Sequence, residues 1–165
     1  MKKIIVIGSP GAGKSVFSQK LGNITNLPLY HLDMLYHKKD GTHISKEELE
    51  EKLKEIFKEE SWILDGNYQR TLELRLKECD TVFLLDFSLD VCLSGAKSRI
   101  GIKRNDLPWV EENFNEEFKQ VIIEFPKKKL PQIYELLEKY KKNKSIIVFK
   151  TREEADNYLE TLKTE

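Results

Sequence analysis

The stretch that decides the fold is IIVIGSPGAGKS, residues 4–15, in which a short apolar run is followed directly by a glycine-rich loop. Its last eight residues, Gly8 to Ser15, match the pattern G-x-x-x-x-G-K-[ST]. Glycines in this pattern let the backbone curl so that successive N–H groups point inward, and the helix that follows adds a partial positive charge. The stretch therefore predicts a buried strand, a phosphate-binding loop and a helix from about Lys14 to Leu21.

This loop is expected to bind the phosphates of a nucleoside triphosphate. The Lys14 ammonium would reach the β- and γ-phosphates, and the Ser15 hydroxyl would be a ligand of Mg²⁺. ATP and Mg²⁺ are therefore the predicted cofactors, although the loop does not distinguish ATP from GTP. The alternative is a glycine-rich turn that binds nothing. The predicted nucleotide contacts are Gly8, Ser9, Pro10, Gly11, Ala12, Gly13, Lys14, Ser15 and Val16.

Four further apolar runs are candidate strands, at residues 28–32, 62–65, 81–87 and 145–149. Helical patterns lie between them, and Ser45 with Glu48 and Thr151 with Glu154 form capping boxes at two helix starts. Strands that alternate with helices are typical of βαβ units and a parallel sheet. No repeat or linker interrupts this order, so residues 1–165 are predicted to form a single α/β domain.

Composition limits the partners of the protein. The chain has 28 Lys and Arg against 28 Asp and Glu, so its net charge is zero and no overall field attracts nucleic acid or an anionic membrane. No apolar stretch reaches the roughly 18 residues of a membrane span, and Cys79 and Cys92 fall in core-like segments. We therefore expect a cytoplasmic protein with reduced cysteines, and either a monomer or a homodimer.

Three aspartates lie at predicted strand ends, where open α/β sheets bind ligands. Asp65 is the predicted carboxylate of the magnesium site, and Asp86 is its competitor. Asp33 could orient the acceptor hydroxyl or phosphate, or accept a proton from it. Tyr36 and Tyr68 could form a wall of the acceptor pocket or simply pack in the core. The histidines, His31 among them, have no metal-ligand spacing, which favours surface or packing roles.

Four segments of the sequence resemble a known family, the small P-loop proteins named FlaR-related DNA topology modulation proteins, which are similar to adenylate and shikimate kinases. The segments are GSPGAGKS, YHLDMLY at 30–36, WILDGNYQRTLELRL at 62–76 and CDTVFLLDF at 79–87. The resemblance is close over residues 3–87 and looser beyond them. It implies a three-layer P-loop NTPase fold of the nucleoside monophosphate kinase type, with a five-stranded parallel sheet in the order 2-3-1-4-5 and a helical lid.

The same resemblance implies an arginine for the acceptor phosphate. Adenylate kinases have it in the segment D-G-[FY]-P-R, for which Arg70 is the nearest equivalent here, although Asn67 and Gln69 depart from the pattern. The acceptor's identity therefore stays open. The predicted acceptor-binding residues are Asp33, Tyr36, Asp65, Gly66, Tyr68 and Arg70.

Residues 94–118, the lid segment, follow the fourth strand and carry a cluster of cations that includes Arg99 and Arg104. Such cations can neutralise the transferring phosphoryl group, and one arginine can contribute roughly 10³–10⁵ in rate. The alternative is a solvated helix face with ordinary surface charge. With this segment included, the predicted catalytic residues are Lys14, Asp33, Arg99 and Arg104.

Two functions are consistent with these residues. The first is a phosphotransferase that moves the γ-phosphoryl group of ATP to a small acceptor, a nucleotide or nucleoside. The second is an ATP-binding regulatory protein that acts on DNA topology or on a protein partner. A GTPase is disfavoured, because Asn143, Lys144 and Ser145 are followed by Ile146 where the guanine-binding N-K-x-D element requires aspartate.

Overall fold

A five-stranded parallel sheet forms the centre of the computed structural model, which describes residues 1–164. Its spatial order, β2-β3-β1-β4-β5, is the predicted one. Because β1 lies between β3 and β4, the loop that follows it leaves from the middle of the sheet. The strands are β1 (Lys3–Gly8), β2 (Leu29–His31), β3 (Trp62–Asp65), β4 (Thr81–Leu85) and β5 (Ser145–Phe149).

Helices connect the strands and cover both faces of the sheet. The two predicted capping boxes, at Ser45 and Thr151, are both formed and begin α3 and α8. The helices are α1 (Lys14–Thr25), α2 (Leu32–Tyr36), α3 (Lys46–Phe57), α4 (Gln69–Glu78), α5 (Leu89–Ser98), α6 (Glu116–Lys128), α7 (Leu130–Tyr140) and α8 (Arg152–Leu162).

The sheet divides the apolar core into two layers, since alternate strand residues point to opposite faces. Ile5 of β1 packs with residues of α3, α4 and α7 on one face, and Ile4 packs with α1, α5 and α8 on the other. Both neighbours are fully buried, as continuous apolar strands in a parallel sheet should be. Cys79 and Cys92 are buried free thiols, one in each layer.

Two boundaries differ from expectation. Asp33 lies in the first turn of α2 rather than at the end of β2, which stops at His31. The lid segment is helical only at its ends, and residues 99–115 form neither helix nor strand. Gly101, with a φ of 76°, and Pro108 interrupt the helical pattern, and ion pairs hold this stretch in place. None of the helices in residues 1–164 is long and apolar enough to cross a membrane.

Candidate functional site

The phosphate loop lies against α5 at a distance that only glycine permits. A Cβ atom on Gly11 would be 2.1 Å from the carbonyl oxygen of Cys92, and one on Gly95 would be 2.1 Å from the carbonyl oxygen of Gly11. Gly11 also has a φ of 82°, in the left-handed region that favours glycine. The two glycines together fix the curvature of the loop over the start of α1.

Lys14 folds back over this loop. Its Nζ donates to the carbonyl oxygens of Gly8 and Ser9, at 3.1 Å each, and burial lowers the pKa of Lys14. Within residues 1–164 no carboxylate lies within ion-pair distance of this ammonium group; Asp65 and Asp33 act on it only from farther away. A half-buried cation without an ion-pair partner is stabilised by an anion, so the loop is chemically suited to a phosphate.

The loop after β3 is fastened to the phosphate loop by Asn67. Its side chain accepts a hydrogen bond from the Gly8 N–H at 3.1 Å and donates one to the Gly8 carbonyl at 2.7 Å. Asn67 is one of the two residues that depart from the D-G-[FY]-P-R pattern. The departure therefore has a structural reason, because this amide holds two loops together.

Arg75 supports the same loop through hydrogen bonds to its backbone carbonyls. The guanidinium of this fully buried residue donates to the carbonyls of Gly66 at 2.9 Å, of Asn67, and of Tyr68 at 3.3 Å, and also to the hydroxyl of Thr71 at 3.2 Å. Burial lowers the pKa of Arg75 to about 10. Sequence reasoning missed this role, although Arg75 lies in the segment that carries the family resemblance.

Asp65 is buried at the end of β3, beside His31 at the end of β2. The Nδ1 atom of His31 lies 2.5 Å from Oδ2 of Asp65, and the two side chains are 10% and 8% exposed. Burial alone would lower the pKa of His31, but the hydrogen bond and charge of Asp65 outweigh it and raise this pKa. His31 therefore belongs to the site, a position that its isolated place in the sequence did not reveal.

Asp33 and Tyr68 form a second hydrogen-bonded pair of the site. The Tyr68 hydroxyl donates to Oδ1 of Asp33 at 2.7 Å, and burial and the charge of Asp33 raise the pKa of Tyr68, which keeps it a hydrogen-bond donor. Tyr36 contacts the Tyr68 ring edge-on, with centroids 5.2 Å apart, and stacks on His43. The predicted tyrosines thus form one aromatic wall beside Asp33.

Arg70 lies outside this arrangement. Its Nε is 3.1 Å from Glu50 and its Nη2 is 3.2 Å from Glu47, and its side chain is 49% exposed. It lines a separate cavity of about 150 Å³ with Tyr36 and Tyr68. The predicted acceptor arginine therefore lies next to the aromatic wall, in a different cavity from Lys14.

Two cavities that are larger than the one at Arg70 meet at the phosphate loop. The strand-end cavity, of about 260 Å³, is lined by residues that include Lys14, Asp33, Asp65, Gly66 and Tyr68. The lid-side cavity, of about 310 Å³, lies between the loop, α5 and the lid segment. Both cavities are lined by Gly11, Gly13, Ser15, Arg99 and Asp106.

The lid segment contributes cations and carboxylates together. Arg104 Nε is 3.0 Å from Asp106, and Arg104 Nη1 is 3.5 Å from Glu111. Arg99 Nε is 3.2 Å from the same Glu111 oxygen, yet the two atoms are not aligned for a hydrogen bond, and both are buried without a hydrogen-bond partner within residues 1–164. Arg99 also lies 5.2 Å from the centre of the Phe118 ring.

Asp106 is the residue in the lid segment that sequence reasoning missed. It is only 5% exposed, and its Oδ2 accepts a hydrogen bond from the Ser15 hydroxyl at 2.6 Å. The available signal was an acidic residue two positions after a predicted catalytic arginine. Asp86, the competitor for the metal role, instead pairs with Lys150 and Tyr134 and lines neither of the two larger cavities.

The oxygen atoms around Ser15 fit Mg²⁺, which prefers oxygen ligands and retains several waters. The Ser15 hydroxyl and the carboxylates of Asp65 and Asp106 all line the strand-end cavity. No three His, Cys, Asp or Glu side chains of residues 1–164 form a metal-binding group by themselves. The ion would therefore depend on the phosphates of a bound nucleotide for further ligands, as is usual for Mg²⁺.

Sequence comparison relates the chain to adenylate kinases. No protein-family profile matches it. It is 31% identical over 88 residues to the adenylate kinases of Thermotoga petrophila and Thermotoga maritima, a match that covers 52% of this chain and only 39% of each relative. The predicted similarity to adenylate kinases is thereby supported, whereas the narrower resemblance to FlaR-related proteins stays a prediction.

Solved structures confirm the predicted P-loop kinase fold. A shikimate kinase from Acinetobacter baumannii, in complex with shikimate, has a TM-score of 0.62 at 17% identity over 99% of this chain and 94% of that one. A gluconokinase from Sinorhizobium meliloti has a TM-score of 0.57 at 13% identity over 99% and 90%. At these identities the likeness describes the fold and not the substrate.

Proposed function

We propose that the protein is an ATP-dependent phosphotransferase that moves the γ-phosphoryl group to a hydroxyl of a small acceptor, a nucleoside or nucleotide. The observation that carries this proposal is the wall shared by the two larger cavities, which includes Ser15 and Arg99. ATP would occupy the lid-side cavity with its phosphates on the loop, and the acceptor would occupy the strand-end cavity. Transfer would then occur across the shared wall.

The chain's own residues supply charge and positioning for this reaction. Lys14 and Arg99 are half-buried cations at the strand-end cavity, where they would offset charge on the γ-phosphoryl group. Ser15, together with Asp65 and Asp106, would hold Mg²⁺, and the ion would neutralise charge that develops during the transfer. Arg104 lines only the lid-side cavity, where it would contact the donor nucleotide.

Asp33 is the proposed acceptor carboxylate. It accepts one hydrogen bond, from Tyr68, and its side chain is 41% exposed, so oxygen lone pairs remain for an acceptor hydroxyl. As the acceptor oxygen forms its bond to phosphorus, the bond between the γ-phosphorus and the bridging oxygen breaks and ADP leaves. Asp33 would receive the hydroxyl proton in this step. No covalent intermediate is required.

The charges in the strand-end cavity favour a nucleoside over a nucleotide. Asp33 and Asp65 both line this cavity, and Arg70 is held outside it by Glu47 and Glu50. An acceptor phosphate there would face two carboxylates without the predicted arginine. An uncharged ribose would instead find a hydrogen-bond acceptor in Asp33 and an aromatic surface in Tyr68.

The test compares each nucleoside with its own 5′-monophosphate as an acceptor, measured as ADP release from Mg-ATP. We expect turnover above the hydrolysis background with nucleosides, a large loss of this turnover in Asp33→Asn, and no change in Arg70→Ala, the matched control. A preference for monophosphates that Arg70→Ala abolishes would show that Arg70 leaves its glutamates to bind the acceptor phosphate. ATP binding without turnover on any acceptor would overturn the proposal and favour the regulatory alternative.

A further inference from the structure

We infer that Asp106 is a positioning residue of the magnesium site, where it accepts the hydroxyl hydrogen of Ser15; the carboxylate predicted for this site was Asp65. The inference rests on the proposed function, because it concerns the same phosphate loop. It adds a consequence for regulation: the lid segment carries one of the groups that orient the metal ligand. The site is then fully formed only when the lid segment lies against the loop.

The contacts of the two aspartates carry the assignment. Ser15 Oγ donates to Asp106 Oδ2 at 2.6 Å, across 91 positions of sequence. Asp65, at the strand end, is instead bonded to His31, and no hydrogen bond links it to Ser15 within the described residues. Asp106 is buried, so solvent competes little for its carboxylate.

The chemistry of a serine hydroxyl explains why this contact matters. The group has one hydrogen and two lone pairs, and its hydrogen rotates to the best acceptor available. A carboxylate is a strong acceptor, and a hydrogen bond to it is about twice as strong as one between neutral groups. With its hydrogen committed to Asp106, Ser15 presents lone pairs to the cavity, which is the orientation a metal ligand needs.

Arg104 ties this orientation to the position of the lid segment. Its Nε lies 3.0 Å from the second oxygen of Asp106, and its side chain is only 17% exposed. Asp106 is therefore held by the lid segment on one side and by the phosphate loop on the other. Because binding equilibria are reciprocal, a lid that improves metal binding must itself be stabilised by the metal.

The test measures binding of Mn²⁺ to the protein–ADP complex by electron paramagnetic resonance, which needs neither an acceptor nor turnover. Loss of a group that orients a metal ligand typically weakens metal binding about 10- to 100-fold, which is the effect expected for Asp106→Asn. Glu111→Gln is the matched control, because Glu111 also pairs with Arg104 and the substitution removes one negative charge without touching Ser15. It should stay within about threefold of the wild type, well below that loss.

A second measurement separates positioning from a general loss of charge or folding. In a Ser15→Ala background, Asp106→Asn should add little further loss of Mn²⁺ affinity, since the hydroxyl that it orients is already gone. Trp109, a half-buried residue of the lid segment that contacts His37, reports lid position by its fluorescence. Its response to Mg²⁺ in the presence of ADP should shrink in Asp106→Asn and persist in Glu111→Gln.

Three results would overturn the inference: equal losses of Mn²⁺ affinity in Asp106→Asn and Glu111→Gln, an undiminished effect of Asp106→Asn in the Ser15→Ala background, or wild-type affinity in Asp106→Asn alongside a loss in Asp65→Asn. Metal binding without phosphoryl transfer would overturn only the proposed function. Absence of any Mn²⁺ uptake with ADP would overturn both.

Discussion

Replacing Arg75 by methionine should separate the support of the loop after β3 from the chemistry of the site. Methionine keeps most of the apolar stem and removes the guanidinium. The carbonyls of Gly66 and Asn67 then lose the donor that Arg75 provides, whereas Tyr68 O keeps the N–H and hydroxyl of Thr71, at 2.9 and 3.1 Å. The loss is therefore concentrated on the carbonyls of buried Gly66 and half-buried Asn67.

The magnitude follows from these two groups. A buried acceptor left without a donor costs about 1–3 kcal/mol. Removing a buried cation returns part of its desolvation cost, so the net loss should be roughly 2–4 kcal/mol of the about 5–15 kcal/mol that a domain typically has. In a domain of this size this corresponds to a fall in Tm of about 5–15 °C.

Arg75→Met should weaken the binding of the acceptor more than the binding of ATP. Tyr68 has a φ of 32°, a left-handed backbone conformation that is strained for this residue, and Arg75 helps to hold it there. Release of that strain would move the Tyr68 hydroxyl away from Asp33. We therefore expect the KM for the acceptor to rise, while the thermal stabilisation by ATP changes little.

Urea unfolding followed by circular dichroism measures the stability, and acceptor titrations measure KM. Arg70→Met is the matched control on the same helix, α4, because its surface ion pairs should contribute less than about 1 kcal/mol. The reasoning would be refuted if Arg75→Met lost under about 1 kcal/mol, or no more than Arg70→Met.

Three further predictions concern the phosphate loop and the strand ends. Lys14→Ala should abolish most of the rise in Tm that ATP causes; at an ATP concentration of 100 times its Kd, that rise reflects about 2.7 kcal/mol of stabilisation. An unchanged rise would contradict the proposed contact between Lys14 and the phosphates. Gly95→Ala, normally favourable in a helix, should destabilise the protein and weaken ATP binding, because its Cβ would lie 2.1 Å from Gly11 O; a calorimetric melt with higher Tm would contradict this. His31→Gln should destabilise the protein most below pH 6.5, the ordinary pKa of histidine, and progressively less as the pH rises through the raised pKa of folded His31. Urea unfolding of both proteins at several pH values measures this difference. The opposite trend would exclude a charged pair with Asp65.

The sequence predicts those parts of the fold that depend on residues close together in the chain. The phosphate loop binds through its backbone, so its glycines, lysine and serine are readable as a short pattern. The capping boxes at Ser45 and Thr151 are equally local, since each involves residues three positions apart. Buried parallel strands appear as short apolar runs, which is why all five were found to within about two residues.

The candidate site was harder to predict because its decisive contacts join distant segments. Ser15 meets Asp106 across 91 positions, and His31 meets Asp65 across 34. Neither pair has a spacing rule that a sequence pattern could carry. Arg70 illustrates the reverse case, because its position in a family-like segment suggested the acceptor, while two glutamates of α3 hold its side chain elsewhere.

The charge balance of the lid segment explains how its two arginines can lie near Lys14 of the phosphate loop. Arg99 and Arg104 would repel Lys14 if they approached it alone, but Glu111 and Asp106 offset their charge. These contacts differ in geometry: Asp106 is hydrogen-bonded to Ser15, whereas Arg99 Nε and the Glu111 oxygen that faces it are buried atoms without a hydrogen bond within residues 1–164. An ion pair of that kind recovers little of its desolvation cost, so exchanging Glu111 for a phosphate would stabilise Arg99 the most. The same exchange would stabilise Arg104 the least, because its partner Asp106 also holds the Ser15 hydroxyl. In the proposed reaction, Arg99 would therefore be the cation that moves with the transferring group, and Arg104 the one that holds the metal ligand Ser15 in place through Asp106.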